Sequence, residues 1–350
     1  MEARKMAARE AVKPLGIHTA VGHLNELGKW KEIPYLDSNG GMLPPFIIAV
    51  GSRVRVLKAV ETMGLKQPAF IDQEANSRIG LNAHGRVAIL VGIAERGGIE
   101  FPVAVVETQM GCPATQINLR EMVYFAREDG YNFNGREMRS DRIYLVRAGT
   151  CAGVNSHSPS ELPLSIGDIA IATESYGSVG AVIQSALREL NFVGSNLKKI
   201  ADAMRKSLSA ERALALSHDG NHLVSRSSPG IILRLQEAAD RLGAVNFVGP
   251  NFTKDSLYAE MGEEQFAWLR DNYGIISTEM EQVAIDVLGA EFRKAGTPVS
   301  TGLISAVIGA IPGKSFPETD EEKRKAGEAE DNIMRATVDA FAGIARALNR

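Results

Sequence analysis

Cysteine is scarce in this chain: Cys112 and Cys151 are the two in 350 residues. Two cysteines cannot build a disulfide framework, and neither stands at metal-ligand spacing from another ligand. A reducing compartment and no bound metal are therefore expected. Histidine is also sparse; His218 and His222 stand four apart in "SHDGNH", but the Asp219-Gly220 turn signal denies them a common helix face. No H-E-x-x-H zinc motif, P-loop or G-x-G-x-x-G fingerprint occurs. A charge excess of one sign is missing too. The formal net charge of -3 gives no long-range attraction to nucleic acid or anionic lipid, so an anionic ligand must be held by locally placed groups. No apolar run approaches the roughly twenty residues that a membrane span needs. Residues 1–16 mix both charge signs without an apolar centre, unlike a secretory signal, so a cytoplasmic protein that binds neither nucleic acid nor membrane is expected.

What is present is an ordinary balance for a folded chain, 45% hydrophobic and 23% charged. Strand-like runs stand at 46–50, 87–93, 101–108, 142–148, 168–173, 245–249, 274–278 and 302–309. Several are continuously apolar, as strands covered on both faces are. Helix-like stretches lie between them at 54–64, 114–128, 229–242, 263–272 and 280–295, with a long one from about 320. Alternating strands and helices predict an α/β fold around a mostly parallel or mixed sheet. Residues 1–31 read as an N-terminal extension and 32–350 as one domain. The polar, serine-rich stretch at about 176–228 reads as an insertion into that domain.

In open α/β sheets, ligands gather beyond the carboxyl ends of strands. The stretch "IYLVRAGTCAGV" (143–154) raises a question at such an end. Arg147 follows four apolar or aromatic residues and precedes what reads as a glycine-rich turn. A buried guanidinium requires a partner, either a carboxylate from elsewhere in the fold or an anionic ligand. Thr150 and the glycine N–H groups would suit an anion. "VGSRVRV" (50–56) offers Gly51, a helix start and Arg55; its plainer reading is a strand-to-helix turn with solvated arginines. "ETQMGCPATQINL" (107–119) opens a helix at Gly111 and Pro113, with Met110 and Cys112 as packing residues. "STEMEQVAIDVL" (277–288) sets Glu279 and Glu281 around Met280. A carboxylate there accepts either the vicinal hydroxyls of a ribose or the N–H groups of the first helical turn.

Taken in order, "GSRVR", "MGCPATQI", "VRAGTCAG", "SIGDIAIAT", "EMEQVA" and the stretch from "GLISAVIGAIPGKSF" onward resemble the nucleoside phosphorylase superfamily, in its uridine phosphorylase branch. The resemblance covers roughly 32–350, apart from the insertion. It implies a single-domain, three-layer α/β sandwich with a twisted, partly barrel-like mixed sheet flanked by helices, working as a homo-oligomer of at least two chains. The implied reaction is reversible phosphorolysis in pyrimidine salvage: uridine plus phosphate gives uracil plus ribose 1-phosphate. Inorganic phosphate is the co-substrate and no cofactor is implied. Carried over onto this chain, the phosphate site comprises Gly51, Arg55, Arg147 and Thr150, with Arg78 lent by the neighbouring subunit. The ribose site comprises Glu279, Met280 and Glu281, with Tyr35 from the neighbour. Arg147 and Glu281 carry the catalysis, and Phe252 packs on the base.

The chain departs from the uridine phosphorylase pattern after Phe252. Where a tyrosine and a Gln-x-Arg pair usually read the uracil, "TKDSLY" stands, which leaves base recognition to Lys254, Asp255 or another loop. The acid that purine enzymes place on a late strand is missing from "ISAVIG", and Ile79 stands where bacterial members hold a potassium-binding glutamate. The alternatives are a phosphorylase of another nucleoside, purine or broad in specificity, a nucleosidase of the same fold, and a non-catalytic nucleoside-binding relative.

Overall fold

A computed structural model describes residues 36–37, 44–71, 87–126, 131–133, 136–138, 142–156, 163–178, 215–216, 222–254, 263–313 and 316–348. In chain order the strands are β1 (Leu36–Asp37), β2 (Phe46–Val50), β3 (Lys66–Ile71), β4 (Ile89–Arg96), β5 (Ile99–Glu107), β6 (Tyr131–Phe133) and β7 (Arg136–Met138). They continue with β8 (Ile143–Val154), β9 (Ile169–Ser178), β10 (Ala215–Leu216), β11 (His222–Arg226), β12 (Asn246–Thr253), β13 (Ser277–Glu279) and β14 (Val299–Ile311). The helices are α1 (Arg53–Met63), α2 (Cys112–Phe125), α3 (Pro229–Arg241), α4 (Glu263–Tyr273), α5 (Gln282–Lys294) and α6 (Asp320–Leu348).

Eleven strands form one mixed sheet, and β1, β6 and β7 form a small separate one. Part of the large sheet closes on itself. β9 pairs parallel with β12 and β12 parallel with β13; β13 runs antiparallel to β8, which pairs parallel with β14, and β14 returns antiparallel to β9. From this five-strand barrel one arm extends through β2, β5, β4 and β3, and another through β11 and β10. Helix α6 packs on α1, α3, β8 and β14, while α5 packs on α2 and β14, so the sheet is covered by helices.

The apolar runs explain the arrangement. Every residue of β2, "FIIAV", is fully buried, as a strand between two neighbours and two covering layers must be. Phe46 stacks on Tyr144 and meets Phe101 edge-on, which joins β2, β5 and β8 in the main core. Helix α6 begins on a capping box: the Thr319 hydroxyl accepts from the Glu322 N–H (3.2 Å) and the Glu322 carboxylate accepts from the Thr319 N–H (3.0 Å). Asp320, Glu321 and Glu322 in its first turn complement the helix dipole. The charge-rich stretch before the last helix is thus a helix start.

One expectation changes. The glycine-rich segment 149–153 is not a turn: it continues β8 as extended strand to Val154, paired with β14 on one side and β13 on the other. Its glycines serve close packing. A Cβ at Gly149 would lie 3.2 Å from Cζ and Nε of Arg147, and one at Gly153 only 2.8 Å from the Leu164 side chain. Extended backbone alternates its N–H groups, so these residues form no anion nest. The ends of the 176–228 stretch belong to the sheet, because β11 pairs along the far half of β9 from Glu174 to Ser178. Residues 1–31 and most of that stretch lie outside the described residues.

Candidate active site

The site lies where β2 ends beside the middle of β8, against the start of α1. Ala49 and Arg147 are register partners, so the loop after β2 meets the Arg147 side chain. Arg147 is buried, at 4% exposed. Its Nη2 donates to Glu281 Oε2 at 2.5 Å and its Nη1 to the Thr108 hydroxyl at 3.3 Å. Its Nε is buried without a hydrogen-bond acceptor, 3.7 Å from Glu279 Oε2. A carboxylate from elsewhere in the fold is therefore the arginine's partner in this structure. Opposite it, Arg55 on the first turn of α1 donates from Nη2 to the Thr150 hydroxyl (3.3 Å) and to Glu330 Oε1 (3.0 Å). Its Nε approaches the same carboxylate at 3.4 Å. Gly51 separates the two guanidinium groups: a Cβ there would sit 3.6 Å from Nη2 of Arg147 and 3.6 Å from Nη1 of Arg55. Two cationic forks and a hydroxyl thus converge on a cradle that any side chain at position 51 would fill. That is a constellation for a tetrahedral oxyanion.

Glu279 and Glu281 divide two jobs. Glu281 is held at Oε1 by the Gly111 N–H (2.8 Å) and at Oε2 by Arg147. Gly111 delivers that N–H from a backbone at φ 87 and ψ 157, a conformation open in practice only to glycine. Glu279 is fully occupied within the protein. Its Oε1 accepts from Asn251 (2.9 Å) and the Thr253 hydroxyl (2.6 Å), and its Oε2 from the N–H groups of Glu281 (2.7 Å) and Gln282 (2.9 Å). Those two amides open α5, so Glu279 caps the helix and fixes the backbone that carries Met280 and Glu281. Burial first, then the neighbouring Glu281 carboxylate, pushes the Glu279 carboxyl up to about 7, against the pull of Arg147 and the donors. Asn251 is itself held by Ser175 and Ser277, which makes the underside of the site a connected polar network.

Phe252 alternates with Asn251 and Thr253 along β12, so it faces the other side of the sheet from Glu279. There it packs with Phe266, Leu269, Ile275 and Val154, edge-on to Phe266 with ring centroids 6.2 Å apart. Lys254 follows on the same face, its N–H bonded to the Glu279 carbonyl at 2.8 Å. Of the residues expected at the site, Gly51, Arg55, Arg147, Thr150, Met280, Glu281 and the anchoring Glu279 come together, with Phe252 and Lys254 on the adjoining strand end. Tyr35, Arg78 and Asp255 lie outside the described residues. Sequence reasoning missed Thr108, Glu330, Asn251 and Thr253. Thr108 and Asn251 stand at or near strand ends beside residues that were singled out, but only the fold brings Glu330 to Arg55 across 275 positions.

Neither cysteine is poised for covalent chemistry. Cys112 donates to the Met280 carbonyl at 3.3 Å, and burial drives the Cys151 thiol far above its ordinary range. Among the described residues no group of three His, Cys, Asp or Glu side chains is placed to hold a metal ion, and no helix is long and apolar enough to cross a membrane.

The sequence matches no protein-family model and no curated protein. The fold matches solved structures. A purine nucleoside phosphorylase from Toxoplasma gondii, in complex with immucillin-H, aligns with a TM-score of 0.56 at 18% identity, over 87% of this chain and 93% of that one. A uridine phosphorylase from Vibrio fischeri ES114, complexed with 6-hydroxy-1-naphthoic acid, aligns at 0.55 and 12%, over 90% of this chain and 99% of that one. A Trypanosoma brucei nucleoside phosphorylase described as showing uridine phosphorylase activity aligns at 0.57 and 16%, over 86% of this chain and 94% of that one. The chain therefore has the nucleoside phosphorylase fold.

Proposed function

We propose that the protein is a nucleoside phosphorylase acting on pyrimidine ribonucleosides, converting uridine and phosphate reversibly to uracil and ribose 1-phosphate in pyrimidine salvage. The observation that carries this reading is the cradle of Arg55, Arg147 and Thr150 in front of Gly51, with Glu281 beside it. The charge of an anion held between two guanidinium groups can be used in a reaction. In phosphorolysis it is. The C1′–N1 bond breaks with its electron pair leaving on the base, positive charge builds on the ribose, and a phosphate oxygen forms the new bond to C1′. A phosphate fixed beneath the sugar stabilises that charge and is already positioned to attack. The departing base takes its proton from the medium or from phosphate. Glu281 accepts the ribose hydroxyls, held at Oε1 by Gly111, while Met280 contacts the sugar. Phosphate is the co-substrate, and no cofactor is required.

Phe252 would pack on the base, with Lys254 and Asp255 beside it. Arg78 and Tyr35 would come from a neighbouring chain to complete the phosphate and ribose sites, making a homodimer the minimum working unit. Exposed apolar side chains stand on the elements that carry the cradle, Val54 and Leu57 on α1, Met110 beside Gly111 and Ile117 on α2, and a second chain would cover them.

The test is base release from uridine, thymidine and inosine, each with and without inorganic phosphate. Phosphate-dependent release of uracil is expected. Release without phosphate would make the protein a hydrolase, release of hypoxanthine alone would move it to purines, and no release at all would leave a non-catalytic binding protein.

A further inference from the structure

Thr278 sits in the middle of β13 with Phe252 on one side and Ala152 on the other, its register partners in β12 and β8. Strand alternation puts its side chain on the face of Phe252, opposite the network that holds Glu279. It is 1% exposed, and its hydroxyl has no hydrogen-bond partner among the described residues. A buried hydroxyl left unpaired is costly, and a valine would fill the same space without that cost. Thr150, the cradle hydroxyl, lies two residues from Ala152 on this same face of β8, about 7 Å along the strand. The face thus reads, from the anion cradle outward, Thr150, then Ala152 and Thr278, then Phe252. A ribose spans a comparable distance between its phosphate and its base.

We infer that the Thr278 hydroxyl hydrogen-bonds the nucleobase and is a specificity-determining residue of this site, taking over part of the task for which "TKDSLY" lacks a Gln-x-Arg pair. The inference rests on the proposed function, since it takes Phe252 as the residue beside the base. A hydroxyl both donates and accepts, so it suits a ring carbonyl or a ring N–H of uracil. Lys254 cannot accept a hydrogen bond and offers no such choice.

The experiment compares full-length wild type with Thr278→Val and Thr278→Ser. The readouts are steady-state kinetics on uridine and inosine with phosphate, calorimetric titration of free uracil and hypoxanthine, and thermal unfolding. Valine is expected to lower kcat/KM for the preferred nucleoside about tenfold, to weaken binding of its free base, to leave the phosphate KM unchanged, and to raise the melting temperature or leave it as it was. Serine is expected to retain most activity. Unchanged kcat/KM and base affinity in the valine variant would overturn the inference, and so would a loss confined to thermal stability. If wild type turns over no nucleoside, the proposed function falls, and the base titrations still decide the role of Thr278. Weaker binding to the valine variant supports it; equal binding, or none to either protein, refutes it.

Discussion

At the scale of single residues, the site is a problem in burying charge. Arg147, Glu279 and Glu281 are each less than 5% exposed and lie within one hydrogen-bonded cluster. Removing one member of such a pair costs about 3–5 kcal/mol, because the other is left charged and dry. Milder changes are more informative. Glu281→Gln keeps the shape and still accepts from Gly111, and should impair ribonucleosides more than 2′-deoxynucleosides; equal losses on uridine and 2′-deoxyuridine would remove Glu281 from the ribose. Gly111→Ala forces a Cβ onto a backbone at φ 87. That strain costs roughly 1–3 kcal/mol or moves the turn, releasing Glu281 Oε1. A lower midpoint in urea together with a raised nucleoside KM is expected, and a variant unchanged in both would show that the Gly111 restraint is idle. Arg147 was legible as a residue in need of a partner because a cation inside an apolar run is a local anomaly. The role of Glu279 as a helix cap was not, since a glutamate reads the same whether it faces a ribose or two backbone amides.

At the scale of elements, α5 is held from both ends of its first two turns. Glu279 caps its N-terminus, and Asp286 one turn further in accepts from Thr301 on β14 (2.6 Å), Ser225 on β11 (2.9 Å) and Gln282 (2.9 Å). Burial outweighs these donors and pushes the Asp286 carboxyl up to about 6, as it pushes Glu279 to about 7. Both groups hold a proton in the folded chain that the unfolded chain gives up at lower pH. The stability they contribute is therefore fully present below about pH 4, where both states are protonated. It is lost as pH rises through the folded values of about 6 and about 7. Melting temperature should accordingly fall between pH 5 and pH 7.5. Asp286→Asn should flatten the lower part of that slope and leave the part above pH 6. A wild-type protein that gains stability over this range would contradict the assignment.

Periodicity makes the six helices and eight of the strands legible, but not β1, β3, β6, β7, β10 and β11. β2 matches its expected run to the residue, and α1, α3 and α4 begin or end within a residue of expectation. β8 runs past its expected end because its glycines are not turn formers: a Cβ at Gly149 would crowd the Arg147 guanidinium, and one at Gly153 would collide with Leu164. Close approach is a property of the partner, and local sequence carries no trace of it.

At the scale of the whole molecule, the barrel of β8, β9, β12, β13 and β14 and the arm that β2 and β5 add beside β8 bring four distant segments to one place: the Gly51 turn, the Gly111 turn, the middle of β8 and the start of α5. Helix α6 adds a fifth through Glu330, which braces Arg55. The ordered motifs made that assembly readable in advance, but the paired strands that bound the 176–228 stretch and the reach of α6 to the cradle depend on tertiary contacts alone. If a second chain completes the site, Arg78→Ala should weaken phosphate binding without changing the fold, and calorimetric titration of phosphate checks it; unaltered affinity would remove Arg78 from the site.

The central claim is that phosphate, rather than water, takes the sugar. Its most direct test is the stoichiometry of products when the protein acts on uridine in phosphate buffer, with phosphorus NMR for ribose 1-phosphate and absorbance for uracil. One ribose 1-phosphate for each uracil released is the predicted result. Uracil accompanied by free ribose, with no sugar phosphate formed, would contradict it.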